Sequence, residues 1–129
     1  MSDSLYCPFC TLEPGRIIMS NNHAVAIRDG FPVSEGHTLI IPNRHFASMF
    51  EATAEEQAAL FSLLAQARLQ LLEKLKPDGF NVGINDGVAA GQTVMHLHIH
   101  LIPRYADDQP DPRGGVRWIF PDKAVYWTT

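Results

Sequence analysis

Apolar and polar positions alternate most sharply near residue 100. Leu97, Ile99 and Leu101 are interleaved with His96, His98 and His100, and the run closes in Ile102-Pro103-Arg104. Successive side chains of a strand point to opposite faces, so this period predicts a strand with three imidazoles in one row and an apolar back. Upstream, Arg16-Ile17-Ile18-Met19 and His23-Ala24-Val25-Ala26-Ile27-Arg28 flank a polar Ser20-Asn21-Asn22 turn and read as a hairpin. Asp29-Gly30-Phe31-Pro32 breaks the pattern, and Gly36 to Pro42 predicts a third strand that the proline stops. The period then lengthens. Leu60, Leu63, Leu64, Ala67, Leu71, Leu72 and Leu75 recur at helical spacing behind a Thr53…Glu56 capping box. They predict one long helix, from Ala54 to Lys76, ended by Pro77-Asp78-Gly79. Phe80 to Ile84 alternates as another strand, and the glycine-containing loop from Asn85 to Thr93 leads straight into the histidine row. Beyond Tyr105 the periodicity gives way to Pro, Gly and Asp, which predicts an irregular segment up to Thr129.

The totals narrow the class without naming an activity. The 129 residues are one domain's worth, and 46% hydrophobic with 19% charged residues is an ordinary globular balance. No apolar run is long enough for a membrane span, and the first residues lack the basic start and apolar stretch of a secretory signal. A net charge of −4 argues against nucleic acid as a partner. Two cysteines without an export signal fit reduced thiols in the cytoplasm. Those two form Cys7-Pro8-Phe9-Cys10, which is open to three readings: a redox pair, a disulfide, or half of a zinc site. No strand precedes it, as a redox motif would want, and zinc requires two further ligands from elsewhere.

Single histidines are usually structural, and His23 and His37 carry no further signal. Three at alternate positions on an apolar strand do. They could bind metal, but same-face neighbours on a strand stand about 7 Å apart, so one ion could not gather all three. The other chemistry open to them is nucleophilic: an imidazole can form a covalent intermediate that divides one difficult step into two.

The stretch His96-Leu97-His98-Ile99-His100-Leu101-Ile102 matches the signature of the histidine triad (HIT) family, in which three histidines alternate with apolar residues. Gly36-His37-Thr38-Leu39-Ile40-Ile41-Pro42-Asn43-Arg44-His45 resembles that family's third strand, and Asn85-Asp86-Gly87 with Ala90-Gly91-Gln92-Thr93-Val94 resembles its phosphate loop. The resemblance implies a single HIT-like α+β domain over residues 1–129, with an antiparallel sheet of about five strands, one long helix and one shorter helix. It implies a nucleoside phosphate hydrolase or nucleotidyl transferase acting at the α-phosphate, plausibly of dinucleoside polyphosphates or nucleoside phosphoramidates. A nucleotide-binding protein with vestigial hydrolysis is the alternative. In this reading His98 is the nucleophile, His100 contacts the phosphoryl oxygens or leaving group, and Asn85, Gln92 and Thr93 donate hydrogen bonds to the phosphates. Asp29 accepts from the ribose, while Gly30 and Phe31 line the pocket for a purine base. The resemblance further implies that no catalytic metal is required, that a structural zinc is held by Cys7, Cys10, His45 and His96, and that the protein is a homodimer with a sheet continuous across it. Arg113, Arg117 and Trp118 have two readings: a last strand packing Trp118 on the core, or a segment reaching a nucleotide site.

Overall fold

A computed structural model describes residues 6–128. Five strands, β1 (Ile17–Ser20), β2 (Ala24–Arg28), β3 (Thr38–Pro42), β4 (Gly79–Gly83) and β5 (Ile99–Arg104), form one sheet in the order β1-β2-β3-β5-β4. Every neighbouring pair is antiparallel. The long helix α1 (Ala54–Lys74) connects β3 to β4. Its start is fixed by both halves of the capping box: the Glu56 amide donates to the Thr53 hydroxyl at 3.0 Å, and the Thr53 amide donates to the Glu56 carboxylate at 2.9 Å. The expected α+β architecture is the one observed. The second helix, α2 (Pro121–Ala124), is only one turn long and lies in the tail.

The sheet is apolar on both faces. On one, Leu60, Leu63, Ala67 and Leu71 of α1 pack against Ala24, Ala26, Ile40, Leu97, Ile99 and Leu101. Each of these leucines is fully buried, which contributes on the order of 2 kcal/mol apiece. On the other, Ile27, Leu39 and Ile41 are covered by Phe9 and Leu12 of the N-terminal segment. Strand β3 is therefore buried along its whole length.

The histidine strand begins later than its periodicity predicts. β5 pairs with β3 only from Ile99, through Ile40↔Ile99, Leu39↔His100 and Thr38↔Leu101. Beyond that point β3 ends in Pro42, which has no N–H to give to a ladder. The Leu97 amide instead donates to the Phe46 carbonyl at 2.7 Å, and the His96 ring to the Pro42 carbonyl at 2.8 Å. The facing is as expected all the same. Leu97, Ile99 and Leu101 sit in the core under α1, and the three histidines are turned away from it.

The tail is less irregular than its composition suggests. A 3-10 segment, Gly115–Ile119, leads into α2. No strand forms around Trp118, which is 43% exposed with its indole N–H donating to the Arg113 carbonyl. Arg113 stacks over Trp127 and Arg117 over Tyr126, and Arg117 also donates to the carbonyls of Lys123 and Ala124. The reading of a last strand packing Trp118 on the core thus gives way to a segment that folds back on itself, its arginines and aromatics pairing across five to fourteen positions.

Candidate functional site

Five of the six histidines form a connected set. His45 meets His96, His98 meets His100, and His100 meets His37, with ring centroids 4.9, 5.2 and 5.2 Å apart. Phe9, between the two cysteines, bridges the set by touching both His96 and His98. Backbone groups around the rings fix which nitrogen carries each proton.

His98 Nδ1 lies 2.9 Å from the His96 carbonyl oxygen. A carbonyl only accepts, so Nδ1 holds the proton and Nε2 keeps its lone pair. His96 is oriented in the same way by a different group. Its Nε2–H donates to the Pro42 carbonyl, which leaves the Nδ1 lone pair facing Cys7 Sγ at 3.4 Å, Cys10 Sγ at 3.5 Å and His45 Nδ1 at 3.1 Å. His45 Nδ1 is also 3.2 Å from Cys10 Sγ. Donors in a tetrahedron around an ion at zinc bond lengths stand about 3.3–3.8 Å apart. The four contacts just given, at 3.1–3.5 Å, lie near that range, and Cys7, Cys10, His45 and His96 could hold a metal ion. A ligating histidine normally donates its other ring N–H to an oxygen, as His96 does here. Burial, reinforced by the neighbouring His45 and His98 rings, lowers the His96 pKa and keeps it neutral, while its bond to Pro42 opposes the shift.

Asp29, His37 and His100 are a second group whose ligating atoms converge. Here the backbone says something different. The Val33 amide donates to His37 Nδ1 at 3.1 Å, so His37 must carry its proton on Nε2. That N–H points at His100 Nδ1, 2.9 Å away, with Asp29 Oδ2 at 3.4 Å. His100 Nδ1 then accepts, and its proton sits on Nε2. The group is a hydrogen-bonded relay, because a metal on His37 Nε2 would need an imidazolate. Burial lowers the pKa of both His37 and His100; the charges of His98 and His37 add to the effect at His100, and Asp29 opposes it at each. The outcome is two adjacent rings of complementary character: His98 with a lone pair on Nε2, His100 with an N–H on Nε2.

His37 is not among the expected site residues, yet it sets the state of His100. The position depends on Gly36, whose φ of +91° favours glycine and where a Cβ would stand 2.8 Å from Leu75 and 2.9 Å from Leu71. One expected ligand contact changes. Gln92 is buried, with both Nε2 hydrogens donated to the Ala47 and Val94 carbonyls and its Oε1 accepting from the Gly87 amide. It braces the loop and has no donor left for a phosphate. Phe31 is 91% exposed, because the Asp29 carboxylate holds its amide in a tight turn that throws the ring outward. Beside His98 itself, the packed aromatic ring is that of Phe9. Asn85, Gly30 and Thr93 are exposed, Asn85 on the loop after β4 and Thr93 on a cleft of about 230 Å³ that it shares with Cys7, Pro8 and His45.

The HIT domain model matches residues 11–107. This chain belongs to the HIT family. A HIT-like protein of Mycoplasma genitalium is 45% identical over 104 residues, which span 77% of this chain and 73% of the relative. A protein named AP-4-A phosphorylase in Mycobacterium tuberculosis is 31% identical over 97 residues, 74% of this chain and 50% of the relative. Among solved structures, a Zn-bound histidine triad family protein from Mycobacterium smegmatis superposes with a TM-score of 0.74 at 34% identity, covering 84% of this HIT chain and 86% of its own.

Proposed function

We propose that this HIT protein is a nucleoside phosphate hydrolase or nucleotidyl transferase that works through a covalent nucleotidyl-histidine intermediate on His98. The observation that carries the reading is the 2.9 Å hydrogen bond from His98 Nδ1 to the His96 carbonyl, which leaves Nε2 as a free nucleophile without any prior proton loss. In the first step the Nε2 lone pair forms a bond to the α-phosphorus. The bond from phosphorus to the leaving group breaks with its electron pair going to the leaving group, which departs as a phosphate anion from an anhydride or, its nitrogen having taken a proton from solvent, as a neutral amine from a phosphoramidate. The Nδ1–H···O=C bond steadies the positive charge gained by the ring. His100 Nε2–H donates to a phosphoryl oxygen or the leaving atom, where charge develops. In the second step a water oxygen, or an acceptor hydroxyl for transfer, bonds to phosphorus. The electron pair of the phosphorus–nitrogen bond returns to His98, and the proton goes to solvent. Thr93 and Asn85 are the exposed donors for the phosphates, and Asp29 the acceptor for ribose hydroxyls. Dinucleoside polyphosphates, in keeping with the name of the mycobacterial relative, and nucleoside phosphoramidates are the substrate classes.

Zinc is the ion we assign to Cys7, Cys10, His45 and His96. Bound there with four protein ligands, it would supply structural cross-linking. A second copy pairing along β4, the sheet edge that exposes Val82, would give a homodimer with a continuous sheet. The chain has no helix, among the described residues, long and apolar enough to cross a membrane, and free thiols suit the cytoplasm.

The test is turnover of a panel of adenosine dinucleoside polyphosphates and phosphoramidates by wild type and by His98→Ala. Loss of turnover with retained binding of adenosine monophosphate is expected. Wild-type turnover in the variant would remove the mechanism, and binding without turnover in the wild type would leave a nucleotide-binding protein.

A further inference from the structure

Phe9 sits at the tip of the short turn that Cys7 and Cys10 close, where the Cys10 amide donates to the Cys7 carbonyl at 3.1 Å. Its ring is edge-on to His98, with centroids 5.1 Å apart and planes inclined at 65°. It also meets His96 at 6.0 Å and 89°, and it packs on the cluster of Ile27, Leu39 and Ile41. Among the described residues, three make the contacts that orient the His98 ring. The His96 carbonyl takes its Nδ1–H, His100 meets it ring to ring at 5.2 Å, and Phe9 packs against it. Two of these three belong to the cluster to which we assign zinc: His96 is one of its four residues, and Phe9 is held between two others, Cys7 and Cys10.

We propose that Phe9 is a positioning residue for His98, so that the Cys7–Cys10 knuckle, closed by its ion, fixes the orientation of the ring that attacks phosphorus. A hydrogen bond at Nδ1 anchors one edge of the ring but leaves it room to pivot about that contact. The edge contact from Phe9 removes that freedom. In-line attack needs the Nε2 lone pair aimed at phosphorus, and small misplacements of a reacting group reduce rates steeply. Closing the knuckle therefore acts on the reaction without the ion touching substrate.

This rests on the reading of His98 as the nucleophile, and the experiment separates the two. Phe9→Ala and Phe9→Leu are prepared from metal-loaded protein, and metal per chain is measured to confirm that the cluster still forms. Wild type, both variants and chelator-treated wild type are then compared by the proton resonances of the His98 ring, assigned by their loss in His98→Ala. Positioning predicts one sharp set in wild type and broadened or averaged resonances in Phe9→Ala and in metal-stripped protein, with Phe9→Leu between them. It also predicts kcat on a dinucleoside polyphosphate reduced about tenfold or more in Phe9→Ala, while the Kd for adenosine monophosphate stays within twofold. Unchanged ring resonances in Phe9→Ala overturn the proposal. So does a Kd weakened as much as kcat falls, which would make Phe9 a wall of the base pocket. If His98→Ala retains turnover, the nucleophile is wrong, and the resonances still decide whether Phe9 orders the ring.

Discussion

Two groups of histidines lie within a few residues of one another in the same fold, and a single backbone contact separates their chemistry. At His96 the second ring nitrogen donates to a carbonyl, so the first turns a lone pair toward two thiols and another imidazole. At His37 the second ring nitrogen accepts from an amide, so the first must turn a proton toward His100. Counting side chains would call both groups metal sites. The direction of one hydrogen bond makes the first a cluster of acceptors that could hold a cation and the second a relay that ends in an N–H on His100.

The sharpest way to break the comparison is to exchange the consequences of His98→Ala and His96→Ala. The first should abolish turnover, by about 10⁴-fold or more as removal of a nucleophile does, and keep its metal. The second should lose metal, seen by elemental analysis. A His98→Ala protein that loses metal, or a His96→Ala protein that keeps it, would merge the two groups.

His37→Leu removes the partner that sets the His100 proton. The expected loss in kcat is about 10²-fold, larger for a phosphoramidate than for an anhydride because the amine leaving group leans more on the donated hydrogen bond. His37→Gln, whose amide can still accept from Val33 and donate to His100, should recover much of it. Equal rates for the two variants would mean that His37 is only packing.

The relay should also mark stability against pH. The pKa values of His37 and His100 are lowered by folding, so between the folded values and the ordinary value of about 6.5 the unfolded chain binds more protons. Stability from these rings is complete above about pH 6.5 and falls as the solution is acidified through that value. Denaturant titrations of wild type minus His37→Gln/His100→Asn, from pH 8 to pH 5, should show the difference shrinking on acidification. A difference that grows would reverse the assignment.

The smallest effect expected is at Glu56. Its carboxylate accepts from Arg44, the residue before His45, at 2.8 and 3.0 Å and from the Thr53 amide, and is held down to a pKa of about 2. Glu56→Gln should cost about 1–2 kcal/mol by chemical denaturation, without changing kcat or metal content. A change in metal content would extend the cluster's support as far as the start of α1.

The parts legible in the sequence are those governed by local period. The helix was readable from Leu60, Leu63, Ala67 and Leu71 with the cap at Thr53, and the facing of His96, His98 and His100 from strict alternation. The shorter reach of β5 was not, since it is decided by the missing N–H of Pro42, 54 residues before His96. His37 stands 63 residues from its partner His100, and nothing local marks a histidine as half of a pair. Gln92 misled for the opposite reason: a polar side chain next to the histidines reads as a donor until burial shows its hydrogens already committed. Phe9 could have been found. An aromatic residue held between two cysteines that are expected to close on an ion has little choice of position, whereas Phe31 after Asp29-Gly30 is free to turn outward.

The Leu97 amide gives the molecule a built-in gauge. It sits between His96 and His98, yet its hydrogen bond goes to Phe46, the residue after His45, and the sheet ladder does not reach it. Its exchange with deuterium therefore depends on the stretch that carries His45 staying in place. With the cluster closed, this amide should exchange as slowly as those of β5; with the ion withdrawn, it should quicken while the Ile99 and Leu101 amides stay slow. One backbone proton, next to the nucleophile and far from either thiol in sequence, would thus report whether the knuckle is shut.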